Sequence, residues 1–449
     1  MEQNKLTTTL LALDSLSIYR GLLDDEVLSR LKSLISCLNQ ATNEFRDVVN
    51  LYNNFYFELA KSGTVSLQEY IIDKIVFDEN PFTFKPQAVQ TSEYNNFLEK
   101  AVTNDLKGLQ LVSKLTSGML KAEITEIFDN NSYKTFIEAL PDWVSECQPS
   151  KSPAHIQQIK ELVSRSNHWD ECLDELNHFY KNYGCGLFAR YIAFVWEKSD
   201  GQGYLKGIDS PDPITLNELV EYQNERSRVI ENTLQFLKGF PSNNVLLYGD
   251  RGTGKSSTVK GILNHYHTQG LRMVEVPKAY LADFPLIIRH LKNRAQKFII
   301  FVDDLVFGDN EENYTSLKAV LEGGLESKTS NILIYATSNR RHLVKEYFSE
   351  RAGLHSGNHN EEVHAGDSMQ EKLSLADRFG INVVFSSPDQ NRYLKIVEGI
   401  ASTRDLKISK ERLQREALQW ALWYNGRSAR TARQFVDWIE GHDSLENQG

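Results

Sequence analysis

The chain has 449 residues, and at ~150 residues per domain this length predicts about three domains with cores large enough to need no staples. Hydrophobic residues make up 41% and charged residues 24%, with only 11 prolines, which excludes an extended disordered or collagen-like chain. Against 60 acidic residues stand 50 basic ones, a net charge of -10 that excludes a surface coated for non-specific nucleic-acid binding and leaves room only for a local basic patch.

From the start to about Val195 the apolar spacing is helical, as in Val27, Leu31, Leu34, Ile35 and Leu38, and then Phe45, Val48, Val49, Tyr52, Tyr56 and Leu59. Asp24 is the expected cap of the first of these helices. The apolar stretch near Leu10 is short and lacks a basic flank, so no export signal is expected. No chemical motif occurs in this region. Residues 1–197 therefore read as a helical N-terminal domain for partner binding or assembly. The four cysteines, Cys37, Cys147, Cys172 and Cys185, form no C-x-x-C pair and read as small buried hydrophobes.

Residues 198–213 are rich in Gly, Asp, Ser and Pro and read as a linker. A helix through Val229, Ile230, Leu234 and Leu237 follows, ending near Gly239 and Pro241. From Val245 short apolar runs alternate with amphipathic helices, the pattern of a layered α/β domain with a largely parallel sheet. Five strands are predicted: Val245–Tyr248, Met273–Val276, Phe298–Val302, Ile332–Ala336 and Ile381–Phe385. Past Pro388 the chain is helical again, with Leu413, Ala417, Trp420 and Ala421 on one face and Ala432, Phe435, Val436 and Ile439 on another. The α/β domain is thus assigned to 214–387, a helical segment to 388–442 and a tail to 443–449.

The first strand runs straight into Gly249-Asp250-Arg251-Gly252-Thr253-Gly254-Lys255-Ser256, with Ser257 next and a helix beyond. This is G-x-x-x-x-G-K-[ST] in its required strand and helix context: glycines let backbone N–H groups wrap a phosphate, Lys255 neutralises its β and γ oxygens, and the Ser256 hydroxyl ligates magnesium. The third strand delivers Asp303 and Asp304 at its C-terminal end, where ligands bind in open α/β sheets. Asp303 suits the magnesium shell, and Asp304 sits where an acid polarises the attacking water. A fourth strand ends in Thr337-Ser338-Asn339, and Asn339 is the candidate to hold the γ-phosphate or its water. A kinase reading finds no acceptor-binding motif.

In this order the motifs resemble the AAA+ ATPases over about Ile214 to His442, which implies a P-loop αβα base with a small helical lid and binding of ATP with Mg2+. The resemblance places sensor 1 at Asn339, the arginine finger at Arg378 and the sensor 2 arginine at Arg430. It makes Leu219 to Tyr222, with Val220 and Tyr222, the linker that touches adenine. Gly249 to Ser257, Asp303-Asp304-Leu305, Thr337 to His342 and Glu371 to Gly380 look like a bacterial family known as predicted AAA+ ATP-binding proteins of unknown function. More distantly, the chain is similar to replication initiators, helicase loaders and the Holliday-junction branch-migration motor. The implied chemistry is ATP hydrolysis in a homo-oligomer, a ring or open ring, with Arg378 acting on a neighbour's nucleotide. The implied role is remodelling of a protein or nucleic-acid client, or else an ATP-gated scaffold or loader with slow turnover.

Three further features have plainer readings. His355, His359, His364, Glu361, Glu362 and Asp367 fit no tight metal spacing and read as a solvated loop. Lys278-Ala279-Tyr280-Leu281-Ala282 lacks the glycine of a protein-threading pore loop, so Tyr280 reads as a core or helix-entry residue. Arg289, Lys292, Arg294 and Lys297 form a basic cluster that reads as a solvated face, with contact to a nucleic-acid backbone as the alternative. No membrane span is expected, and the cytoplasm is the expected compartment.

Overall fold

The computed structural model describes residues 5–40, 44–84, 92–144, 153–292, 294–305, 311–322, 329–339, 378–424 and 426–446, and the chain divides between Arg190 and Tyr191 into two units. Among the described residues the first unit holds ten helices: α1 (Lys5–Asp14), α2 (Glu26–Leu38), α3 (Phe45–Lys61), α4 (Leu67–Phe77), α5 (Ser92–Ser113), α6 (Ser117–Ile127), α7 (Asn131–Glu138), α8 (Ala154–Arg165), α9 (Leu173–Tyr183) and α10 (Gly186–Arg190). Their apolar stripes meet in one core, with Leu31 and Ile35 of α2, Tyr52 and Phe55 of α3, and Leu106 and Leu109 of α5 fully buried. The cap of α2 is Asp25 and not Asp24. Asp25 is extended and accepts from the Val27 and Leu28 N–H groups, whereas Asp24 is the last residue of a 3-10 turn. The buried Asp105 carboxylate pins the segment that follows α1, accepting from the N–H groups of Ser17, Ile18 and Tyr19 and from the Ser17 hydroxyl.

The second unit is built on a seven-stranded sheet, β1 (Ala193–Ser199), β2 (Gln202–Gly207), β3 (Val245–Gly249), β4 (Leu271–Glu275), β5 (Lys297–Val302), β6 (Ile332–Ser338) and β7 (Ile381–Phe385), in the order β2-β1-β4-β5-β6-β3-β7. All pairs are parallel except β1 with β2. Strands β5 and β6 are almost wholly buried, as near-continuous apolar runs covered on both faces should be. The helices accompanying them are α11 (Gln223–Leu237), α12 (Lys255–Tyr266), α13 (Phe284–Leu291) and α14 (Glu311–Glu322). A three-helix lid follows: α15 (Gln390–Thr403), α16 (Lys410–Trp423) and α17 (Ala429–Glu446).

Two boundaries differ from the sequence reading. Residues 193–207, read as the end of a helical domain and the start of a linker, form an antiparallel hairpin added to the sheet beside β4. Asp200 and Gly201, both at positive φ, close it as a two-residue turn between the paired Ser199 and Gln202. The expected tail at 443–449 begins inside α17, where the Asp443 carboxylate accepts from the Arg412 guanidinium at 2.9 Å. The unit is thus a layered α/β domain, an αβα base with a strand, glycine loop and helix at its centre and a small helical lid, and it follows an N-terminal unit whose described elements are helical.

Candidate nucleotide site

Strand order fixes where the site is. From β3 the chain crosses over to β4, returns through β5 and β6, and only later adds β7 on the far side of β3. The order therefore reverses at β3, and ligands bind at the C-terminal strand ends beside such a reversal. Register does the rest. Val302 pairs with Ala336, and Leu247 with Thr337, so Asp303, Thr337 and the start of the glycine loop come to one level.

The loop after β3 is shaped by backbone geometry only glycine allows at its base. Gly249 has φ +128°, and a Cβ there would lie 2.2 Å from the Phe385 carbonyl oxygen. The N-terminus of α12 is left without a side-chain cap, so its N–H groups remain available to an anion. The Lys255 ammonium donates to the carbonyls of Gly249 (2.9 Å) and Asp250 (2.6 Å). Burial pulls its pKa down to about 8, although the neighbouring carboxylates of Asp250, Asp303 and Asp304 act in the opposite direction. The Ser387 N–H donates to Asp250 (2.7 Å), ties the loop to the junction between β7 and the lid, and holds that carboxyl below its usual range.

Asp303 Oδ1 accepts from the hydroxyls of both Ser256 (2.6 Å) and Thr337 (2.5 Å). A hydroxyl and a carboxylate oxygen side by side are hard donors of the kind magnesium takes, so the donor set fits that ion. Asp304 stands at φ +53°, a conformation an aspartate tolerates, with its N–H donating to the Thr337 hydroxyl at 2.9 Å. Both of its oxygens are engaged: Asn339 Nδ2 donates to Oδ1 (2.6 Å), and Lys278 Nζ to Oδ2 (3.1 Å).

These groups face a cleft of about 510 Å³. Its other wall comes from the segment before α11 and from the lid: Val220 and Tyr222, then Ile396, Ile400, Ala429, Arg430 and Arg433. The Arg430 N–H donates to the Gly252 carbonyl at 3.0 Å, and a Cβ on Gly252 would meet Arg430 Cβ at 3.1 Å. The lid helix thus starts against the glycine loop. Tyr222 is a packed wall: Arg392 lies 3.8 Å over its ring, Phe385 stacks at 5.3 Å, and its hydroxyl donates to the Ser386 carbonyl at 2.7 Å. Burial pushes that phenol up to about 12.

The residues singled out from the sequence mostly converge here. Arg251 to Ser257, Asp303, Asp304, Asn339, Arg430, Val220 and Tyr222 line the cleft, with Gly249 and Asp250 at the base of the loop. Arg378 does not line it. Arg378 lies just before the N-terminal end of β7, which pairs with the N-terminal end of β3 at Val245, so it is at the opposite edge of the sheet. Sequence reasoning missed Thr337 as the clamp on both aspartates, Lys278 as the partner of Asp304, and Arg226 and Arg433 as cleft residues. Tyr280 lies in a 3-10 segment after β4, half-buried, with Lys198 over its ring. The histidine-rich segment 351–370, with Arg340 to His342 and Glu371 to Asp377, lies outside the described residues. Among the described residues no cluster of His, Cys, Asp or Glu could hold a metal on its own, and no helix is long and apolar enough to cross a membrane.

Known proteins resemble part of the chain. Over 70 residues the chain is 37% identical to the 26S proteasome regulatory subunit 4 homolog of Schizosaccharomyces pombe, a match spanning 14% of this chain and 16% of that protein. Two solved structures of RuvB from Thermotoga maritima align at 14% identity. One covers 52% of this chain and 67% of its own with a TM-score of 0.36. The other, described as the Holliday junction branch migration motor, covers 50% and 72% with a TM-score of 0.30. A family model matches residues 189–443, hairpin, base and lid together, and the chain belongs to that family, described as "Protein of unknown function (DUF815)".

Proposed function

We propose that the protein binds ATP with magnesium and hydrolyses it, coupling nucleotide state to the remodelling of a protein or nucleic-acid assembly. The observation that carries this reading is the convergence in one cleft of an uncapped helix N-terminus, Lys255, the Ser256–Asp303–Thr337 cluster, Asp304 with Asn339, and Arg430 from the lid. Lys255 would pair with the phosphate oxygens, Ser256 and Asp303 would hold magnesium, and Arg430 would cover the phosphates from the lid. The ion, when bound, neutralises charge on the transferred phosphoryl group. Asp304, steadied by Asn339, would orient the attacking water. Val220 and Tyr222 would flank the base.

Arg378 supports a homo-oligomer in this reading. A five-residue strand at ~3.3 Å per residue separates it from its own cleft by roughly 16 Å, so it serves a neighbouring copy's nucleotide instead. Lys255→Ala tests the reading: loss of ATP binding and turnover is expected, and full ATPase activity would overturn it. One observation favours a second reading, an ATP-gated scaffold or loader with slow turnover. Asp304 is a methylene shorter than a glutamate and is held at both oxygens. Stimulation of the ATPase by single-stranded DNA, duplex DNA or an unfolded protein separates the two, since a scaffold answers a single docked partner and no generic polymer. The cytoplasm is the compartment in which we place this activity.

A further inference from the structure

The cleft holds more positive charge than these roles use. Five of its lining side chains are cationic against three carboxylates, a surplus that a magnesium-bound triphosphate, still net anionic, would neutralise. The lid shows where this surplus was left in place. Several of its other arginines are neutralised locally: Arg404 pairs with Asp437 and Glu440, Arg412 with Glu416 and Asp443, and Arg392 with Glu221 and Glu225. Arg433, half-buried in the cleft wall, makes no ion pair or side-chain hydrogen bond with any described residue. Asp437, one turn on from it along α17, is the partner an i,i+4 pair would use, yet its carboxylate goes to Arg404 at 2.6 Å.

Helix geometry gives the direction. Arg433 stands one turn after Arg430 on the same face of α17, and side chains on a helix tilt toward its N-terminus. That N-terminus is the end whose Arg430 N–H meets the Gly252 carbonyl of the phosphate loop. The guanidinium is therefore carried back toward the phosphate end of the cleft, with Arg430 beside it. A half-buried cation held without a counter-ion costs free energy until an anion arrives.

We propose that Arg433 is a second lid arginine for the polyphosphate of the bound nucleotide, closing with Arg430 a two-point clamp from one helix face. The proposal rests on the nucleotide reading above. Its test is equilibrium binding of ATP, ADP, tripolyphosphate and adenosine to the full chain, with magnesium, for the wild type, Arg433→Met and Arg433→Lys. Arg433→Met is expected to weaken ATP and tripolyphosphate by about tenfold or more, since a charge-assisted bond to phosphate is lost, and to leave adenosine unchanged. Arg433→Lys is expected to recover part of the loss, and the nucleotide-free variants to melt no lower than the wild type. Unchanged ATP affinity in a folded Arg433→Met, or a loss confined to adenosine, overturns the clamp while the nucleotide reading stands. A wild type that binds neither ATP nor tripolyphosphate overturns both.

Discussion

Lys255 offers a direct measure of how the site is poised. The residue is 5% exposed, its ammonium rests on two carbonyls, and burial brings its pKa from 10.5 to about 8. That difference corresponds to about 3 kcal/mol by which the nucleotide-free fold disfavours the charged lysine. The sign follows from linkage. Because the folded pKa lies below the unfolded one, the penalty is full below pH 8 and relaxes as pH rises from 8 to 10.5, so stability climbs across that window. A bound triphosphate supplies the missing counter-charge and lifts the pKa again, so nucleotide binding takes up a proton. With a pKa of about 8, the uptake is about half a proton per site at pH 8 and about a tenth at pH 7. Calorimetric titration of ATP in two buffers of different ionisation heat, at each pH, reads this number directly. Lys255→Arg, always charged, removes the buffer dependence. Lys255→Met removes binding, yet its nucleotide-free form is expected to melt higher than the wild type at pH 7. A binding enthalpy that is the same in both buffers at pH 8, or an uptake equal at pH 7 and pH 8, refutes the reasoning.

The remaining predictions concern groups outside that lysine. Lys278→Met frees one oxygen of Asp304 and is expected to raise basal ATP turnover several-fold; an unchanged rate shows that this ion pair does not restrain Asp304. Arg378→Ala is expected to be inactive alone but to regain turnover when mixed with inactive Lys255→Ala, because each supplies what the other's interface lacks, and a mixture as silent as its parts removes the arginine from the neighbour's site. Gly249→Ala forces a Cβ to 2.2 Å from a backbone carbonyl at φ +128°, which is expected to cost ~3 kcal/mol or more and to lower the melting temperature by several degrees; wild-type melting contradicts the close approach. In the N-terminal unit, Asp105→Asn leaves one oxygen for the donors of Ser17, Ile18 and Tyr19, with an expected loss of ~2 kcal/mol in chemical denaturation, and a variant of unchanged stability shows that these bonds contribute nothing net.

Legibility from the sequence followed how local the signal was. The strands at Phe298–Val302 and Ile332–Ala336 were legible because burial on both faces leaves no polar residue to blur the run. The hairpin β1–β2 was not, because the composition that marks a linker also makes a tight turn: Asp200-Gly201 is a two-residue hairpin signal, and only the pairing of Glu197 with Tyr204 and Val195 with Lys206 tells the two apart. The miss at Asp24 was of one residue, since either aspartate can cap and the backbone angle at Asp25 decides.

The phosphate loop could be read residue by residue because its residues are consecutive and its chemistry depends on their spacing. The groups that set the site's electrostatic character are not consecutive. Thr337 reaches Asp303 only because β5 and β6 pair in one register, so a slip of one residue would turn its hydroxyl to the other face. Lys278 reaches Asp304 only because β4 lies next to β5. Arg226 and Arg433 stand at opposite ends of the second unit's sequence, and nothing in either neighbourhood distinguishes them from surface arginines. What distinguishes them is that the fold takes both into the cleft wall, Arg226 beside Glu221 and Glu225 and Arg433 with no ion pair to any described residue, while Arg392, Arg404 and Arg412 are each paired. Charge left uncompensated in a half-buried cleft is a cost the folded chain bears in advance of binding. Placing it beside a glycine loop that wraps anions turns that cost into selectivity for a polyphosphate.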